Sequence, residues 1–148
     1  MPRVAAIHIA PGSRLVMKPV EQVMAEGGKG LVGDRYHGTR HRHVSIQSLE
    51  SLAEASEVLG SEIDPSTTRR NITLTDGVIP RKPGLRCQIG EVELEVVRIA
   101  APCRLLDDVI GPGAARALSN RAGTIFRVLT GGEIVVGAEV NYLENQEV

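Results

Sequence analysis

The chain has 148 residues, 42% of them hydrophobic, and its 17 basic and 18 acidic side chains leave a net charge of −1. That length suits one domain with its own core, expected over residues 1–148, while the charge balance gives no sign of wholesale nucleic-acid binding through a basic surface and the single Phe, two Tyr and absent Trp leave the chain without base-stacking platforms. No apolar run approaches the ~18 residues that span a bilayer and the first residues lack a signal-peptide pattern, so a cytoplasmic protein off the membrane is expected, with Cys87 and Cys103 as free thiols.

The segment from Arg3 to Ala10 reads as a strand ended by the Pro11-Gly12 turn, with a short extended piece over Leu15 to Met17. Between Gln22 and Gly38 five glycines break any periodicity, which predicts a long irregular segment of the kind that carries function. His43 to Gln47 alternates as a strand. Ser48 then caps a helix that runs to Leu59 and stops at Gly60, with Leu49, Leu52, Ala55, Val58 and Leu59 as its apolar face. Asn71 to Leu74 is a strand followed by an Asp76-Gly77 turn. Glu91 to Ile99 alternates, setting Val92, Leu94 and Val96 on one face and glutamates on the other, after a strand ending at Ile89-Gly90. Arg104 to Ile110 predicts a helical turn ended by Gly111. Three strands close the chain, over Gly123 to Leu129, Glu133 to Val136 and Glu139 to Leu143. Many short strands divided by glycine predict a mainly β, α+β chain forming a closed or nearly closed barrel with a few short helices.

Cys103 follows the longest alternating strand and stands between Pro102, which stiffens its approach, and Arg104, which can stabilise a thiolate. Taken alone it reads as small core packing, the commonest fate of a free cysteine, and Cys87 at a strand entry reads the same way. Two polar segments change the weighing for Cys103. Gly33-Asp34-Arg35-Tyr36-His37-Gly38 sets an acid, a guanidinium and an imidazole between glycines, so that backbone can approach a ligand while Asp34 orients Arg35 or His37. Arg69-Arg70-Asn71 enters a strand, where alternation sends one guanidinium to a pocket and the other to solvent. The basic residues divide into fourteen arginines and three lysines, which favours forked recognition of phosphate or carboxylate. His37, His41 and His43 suggest a zinc tripod, but their spacing fits no established pattern and Arg40 and Arg42 repel a cation; His8 within a strand reads as structural.

Taken together, Gly33-Asp34-Arg35-x-His37, His43-Val44-Ser45-Ile46 through Glu50, Arg70-Asn71-Ile72, Ile89-Gly90 with its following strand, Pro102-Cys103 and Gly131-Gly132-x-Ile134-x-x-Gly137 resemble the MOSC domain family, named for the C-terminal domain of molybdenum-cofactor sulfurases. The resemblance runs over nearly the whole chain. It implies a β-rich, barrel-like fold and a functional cysteine, at the position of Cys103, that ligates molybdenum or accepts a sulfane sulfur. It further implies a molybdenum cofactor of the molybdopterin type whose phosphate is held by Arg35, Arg69, Arg70 or Arg121. Asp34 and Asn71 are then candidates for pterin hydrogen bonds, and His37 for proton transfer, so that Cys103, His37 and Asp34 form the expected catalytic set.

The pyridoxal-phosphate lyase domain that feeds sulfur to the family's sulfurases has no counterpart here, so no bound pyridoxal phosphate is expected, and sulfur would come from a separate cysteine desulfurase. The companion barrel of the molybdenum-dependent amidoxime reductases is also missing, which leaves part of a cofactor pocket to a partner or a second protomer, as in a homodimer. Reduction of N-hydroxylated small molecules would need an electron-donating reductase, because the chain carries no flavin or iron–sulfur motif. The alternative is a non-catalytic module that binds an anionic metabolite in an arginine-lined pocket.

Overall fold

Alternation of Val92, Leu94 and Val96 with Glu93 and Glu95 builds the longest strand, because every second side chain of an extended chain faces the same way and only one face meets apolar neighbours. In the computed structural model, which describes residues 2–12 and 15–143, this strand is β8 (Val92–Ile99). The other strands are β1 (Val4–Ile9), β2 (Lys18–Val20), β3 (Gln22–Glu26), β4 (Gly30–Leu31), β5 (Val44–Ser48), β6 (Ile72–Leu74), β7 (Arg86–Ile89), β9 (Thr124–Thr130), β10 (Gly132–Val135) and β11 (Val140–Tyr142). Three α-helices accompany them among the described residues, α1 (Leu49–Leu59), α2 (Leu105–Val109) and α3 (Ala114–Ala117), with one short 3-10 helix at Pro65–Thr67. The chain is mainly β with few helices, and no helix among the described residues is long and apolar enough to cross a membrane.

An eight-stranded sheet runs in the order β11-β7-β8-β9-β5-β6-β1-β2, and a three-stranded sheet in the order β10-β3-β4. The parallel pair of the larger sheet, β5 with β6, is joined through α1, as a parallel connection requires a crossover. The closed barrel suggested by the strand count is not what the ladders form, since neither sheet closes on itself. The reason lies in β1: its later residues Ile7–Ile9 pair with β2, so only the start of the strand is left to meet the far end of the sheet. There a single bridge, Arg3 to Glu139, and the bonds from Val4 N to Ala138 O (2.9 Å) and from Gly137 N to Val4 O (2.8 Å) tie the edges together.

The segment expected to be irregular contains two strands. Val23 and Ala25 are buried while Gln22 and Met24 face outward, a period-two pattern that the surrounding glycines obscure. The extended piece expected at 15–17 gives way to a strand at Lys18–Val20. The helix has the predicted ends: the Ser48 hydroxyl accepts from Ser51 N, and Gly60 takes the left-handed conformation at φ 83. Of its apolar face, Leu52 and Ala55 are buried, whereas Leu49 and Val58 are exposed.

One core lies between the sheets around Ile7, Ile46, Ile72, Leu94, Phe126 and Ile134; a second packs α1, α2 and α3 on Ala100 and Ile125. Cys87 belongs to the first core, and burial pushes its thiol up to about 12. His8 and Asn71 are buried with it, Asn71 Nδ2 donating to His8 O at 3.1 Å while its Oδ1 accepts from Ser45 N at 3.0 Å and Ser45 Oγ at 3.1 Å. One amide thus joins β1 and β5 to the segment entering β6, beside the region where the polar segments gather.

Candidate functional site

Asp34 organises the loop after β4. Its side chain is buried, its Oδ1 accepts from Ala10 N at 3.0 Å and its Oδ2 from Tyr36 N at 3.4 Å, and the Arg35 N–H donates to Ala10 O at 2.7 Å. The loop is pinned to the end of β1 by these bonds, and Asp34 presents Arg35, whose Nη1 lies 3.7 Å from the carboxylate. Arg35 Nη1 also donates to Met17 Sδ at 3.2 Å, and its Nη2 to Arg69 O at 3.5 Å.

Farther along, the Thr39 hydroxyl lies within hydrogen-bond reach of Tyr36 O (2.8 Å) and Arg42 O (2.9 Å), two carbonyls competing for one proton. Buried His43 closes the loop. Its Nε2 donates to Thr39 O at 2.7 Å and its Nδ1 accepts from Val128 N at 3.0 Å, a pairing that fixes the neutral tautomer. Burial lowers the His43 pKa, which agrees with that assignment. So held, Arg35 and Arg42 both sit over the Tyr36 ring, at 4.5 and 4.3 Å from its centroid, in cation–π contact.

Arg69 and Arg70 reach the same place against the expectation that alternation would separate them. Arg69 has φ 68, a left-handed backbone outside the strand region, so the opposite-face rule does not apply to the pair. Its Nη1 donates to Leu15 O. Arg70 is 4% exposed; Nε donates to Ala122 O at 2.9 Å and Nη2 to Ala101 O at 3.0 Å. Cys103 is exposed, and its carbonyl accepts from Leu106 N at 3.0 Å as the chain turns into α2.

The result is an open cleft of ≈ 480 Å³ walled by Arg35, Arg42, Arg69, Arg70, Arg104 and Tyr36, with Cys103 on its surface and no acidic side chain in the lining. Five cations in one cleft are costly. Burial first, then the neighbouring Arg42, takes Arg70 down to about 10, while the Cys103 sulfur and Tyr36 oppose that shift. Arg42 and Arg69 are lowered as well, by burial first and by repulsion from Arg35 among the smaller causes. Arg42 Nε is buried without a hydrogen-bond partner among the described residues. An anion in this cleft would offset that repulsion.

The structure places Cys103, Arg35, Arg69 and Arg70 around one cleft. Asp34 and Asn71 stand behind the cleft, their side chains taken up by protein partners. His37 is directed elsewhere, its Nε2 3.1 Å from Glu26 Oε1 on the surface. Arg121 lies outside too, paired with Glu54 at 3.4 Å and bonded to Ala117 O at 3.2 Å. Arg42 and Tyr36 are the site residues that sequence reasoning misses. In the sequence Arg42 is only a charge that repels zinc, and no local spacing announces a ring shared by two guanidiniums. No cluster of histidine, cysteine or carboxylate side chains suited to a metal occurs among the described residues, so the histidine tripod does not assemble.

The MOSC domain matches residues 33–141, and the chain belongs to that family. The fold is similar to the crystal structure of the YuaD protein from Bacillus subtilis, at 21% identity and a TM-score of 0.84, covering 97% of this chain and 98% of that one. It is also similar to YiiM from Geobacillus stearothermophilus (19% identity, TM-score 0.76, 97% of this chain and 76% of that one). YiiM from Escherichia coli aligns at 19% identity and a TM-score of 0.69, covering 99% and 72%. No curated protein matches the chain.

Proposed function

We propose that the arginine cleft binds a molybdenum cofactor of the molybdopterin type, with Cys103 as the protein's ligand to the metal or as an acceptor of sulfane sulfur. The observation that carries this reading is the exposed Cys103 thiol in a cleft of five arginines that no carboxylate neutralises. A thiolate is a soft donor suited to molybdenum and a good nucleophile toward sulfur. The pterin's phosphate is an anion of the kind that the cleft lacks, and Arg42 with its unpartnered Nε, Arg35, Arg69 and Arg104 would hold it. When bound, the metal would supply two-electron chemistry for removing oxygen from N-hydroxylated compounds.

The protein's own residues have definite tasks in this reading. Arg70 fixes the backbone before Cys103 through Ala101 O and Asp34 fixes Arg35; neither touches the ligand through groups already committed to the protein. As a sulfur acceptor, Cys103 thiolate would attack the outer sulfur of a donor persulfide, forming Cys103 persulfide and releasing the donor's thiolate, without net oxidation. The donor would be a desulfurase, and the reductive role would draw two electrons from a separate reductase.

Molybdenum analysis of protein made in a cofactor-competent, molybdenum-replete host tests the reading. Wild type should carry the metal and Cys103→Ala should lose it. Equal, negligible molybdenum in both would remove the metal-ligand role. Intact-mass measurement after incubation with a desulfurase and cysteine then tests the acceptor role, for which one added sulfur on Cys103 is expected. If neither modification nor metal appears and an anionic metabolite still binds Cys103→Ser, the non-catalytic module is the correct account.

A further inference from the structure

A smaller groove adjoins the arginine cleft and shares Arg69 and Leu105 with it. Its volume is ≈ 220 Å³, and Val16, Met17, Thr67 and Val109 also line it. Two bonds tie groove and cleft into one structure. Arg35 Nη1, in the cleft, donates to Met17 Sδ at 3.2 Å, and Arg69 Nη1 donates to the backbone oxygen of Leu15, which precedes Val16.

The aliphatic side chains here exceed what the core uses. From α2 the core takes Leu106, which is 1% exposed. Leu105 and Val109, one turn apart, form a separate face of that short helix, and Val109 is 47% exposed. Val16, on a segment distant in the chain, is 87% exposed. Apolar groups from two segments that converge on one groove, beside a cleft holding a reactive thiol, mark a binding surface rather than scattered exposure. Its size selects the occupant. A second copy of the chain would need about 800 Å² on each partner, far more than these side chains offer. A cavity of ~150 Å³ lined by aliphatic side chains, by contrast, holds a benzene ring.

We infer that the groove is the subsite for an apolar, phenyl-sized substituent of the small molecule that reacts at Cys103. The reacting end lies in the arginine cleft, and the substituent passes Arg69 and Leu105 to rest on Val16, Met17 and Val109. This rests on the proposed function in one respect, that Cys103 is the reacting centre. A molecule without an apolar arm leaves these aliphatic groups in water, so the groove sets a preference among substrates.

Titration calorimetry on the whole chain with methyl phosphate and phenyl phosphate tests the subsite, since both offer the cleft an anion and only one offers the groove a ring. Phenyl phosphate should bind wild type about tenfold more tightly, equivalent to ~1.4 kcal/mol and to the burial of about two methylene-sized groups. The double variant Val16→Ser, Val109→Gln changes exposed positions, so folding is kept. In it the preference should fall below about threefold while pyrophosphate affinity is unchanged. At half-saturation phenyl phosphate should also halve the rate at which iodoacetamide modifies Cys103, because the occupied half is covered. Equal affinities for the two phosphates in wild type, as expected if a second copy of the chain covers the groove, would overturn the inference. No binding by either phosphate would do the same, as would a preference retained in the double variant or an unchanged rate of Cys103 modification. Failure of the proposed function reads out separately, in molybdenum content and in sulfur added to Cys103, neither of which the double variant should change.

Discussion

Arg70 donates Nη2 to the carbonyl oxygen of Ala101 at 3.0 Å, two residues before Cys103. Through Nε the same guanidinium holds Ala122 O at 2.9 Å, so one buried cation sets the separation of the Cys103 approach and the entry to β9. Lysine has no second arm with which to span two carbonyls.

Removing that brace should be costly. Arg70→Lys and Arg70→Met should each destabilise the protein by about 2–4 kcal/mol, because two carbonyls lose a charged donor while the methionine variant regains the desolvation cost of the cation. Urea unfolding followed by circular dichroism measures the loss. Hydrogen exchange should show greater opening at residues 101–106 in both variants than at β8.

The two thiols should differ in reactivity. Cys103 is exposed whereas Cys87 is buried, with its thiol pushed up to about 12. At neutral pH an alkylating reagent should therefore modify one site in the folded protein, and peptide mapping should place it at Cys103. Cys103→Ser should take no label until the chain is unfolded, when Cys87 reacts.

Occupancy of the arginine cleft should depend on salt and on Arg42. Pyrophosphate, used as an anionic probe, should bind wild type and weaken as ionic strength rises. Arg42→Gln should reduce its affinity about tenfold, equivalent to ~1.4 kcal/mol for a lost charge-assisted bond. Titration calorimetry at two salt concentrations reads both effects; an unchanged affinity in Arg42→Gln would place the anion elsewhere.

Acid should loosen the loop that carries these arginines. Burial lowers the pKa of His43, and also of His8, in the folded protein relative to the ordinary value of 6.5. The unfolded chain then binds protons more readily than the folded one. The stability conferred by the neutral imidazoles is complete above the ordinary histidine value and declines as pH falls below it, by up to about 1.4 kcal/mol per pH unit for each group. Protonation of His43 would also set an N–H against the Val128 N–H that its Nδ1 now accepts. Thermal melts from about pH 7.5 to about pH 5 should show this decline, and His43→Gln should lessen it, leaving the part due to His8.

Gly123 should tolerate no replacement. Its φ of 94 and the 2.1 Å that would separate an added Cβ from Ile46 O leave neither conformational nor physical room. Gly123→Ala should cost more than ~3 kcal/mol, measured by chemical denaturation, since relief would require β5 and β9 to separate.

How much of this was legible without coordinates depended on the range of the interactions. The ends of α1 follow from Ser48 and Gly60, and the burial of Val92, Leu94 and Val96 follows from alternation, because caps and strand faces are set within a few residues. Asp34, Arg35, Arg70 and Cys103 stood out as polar or reactive groups in settings a core does not need. β1 is shared by nearby β2 and by the 137–140 segment, and the second contact joins residues more than a hundred positions apart and has no local trace.

The sequence by itself determined α1, the alternating strands, the family signature and the chemical candidates, since propensity, capping and motif order are written in neighbouring residues, while the strands between Lys18 and Leu31 escaped it. Only the tertiary structure decided which candidates meet. It turned Arg69 into the cleft through a left-handed backbone, laid Arg35 and Arg42 over Tyr36, and sent His37 to Glu26 and Arg121 to Glu54. Those outcomes rest on how the loops fold back on themselves and, for Arg121 and Glu54, on the crossing of distant segments, where burial and charge compensation, rather than spacing along the chain, select each side chain's partner.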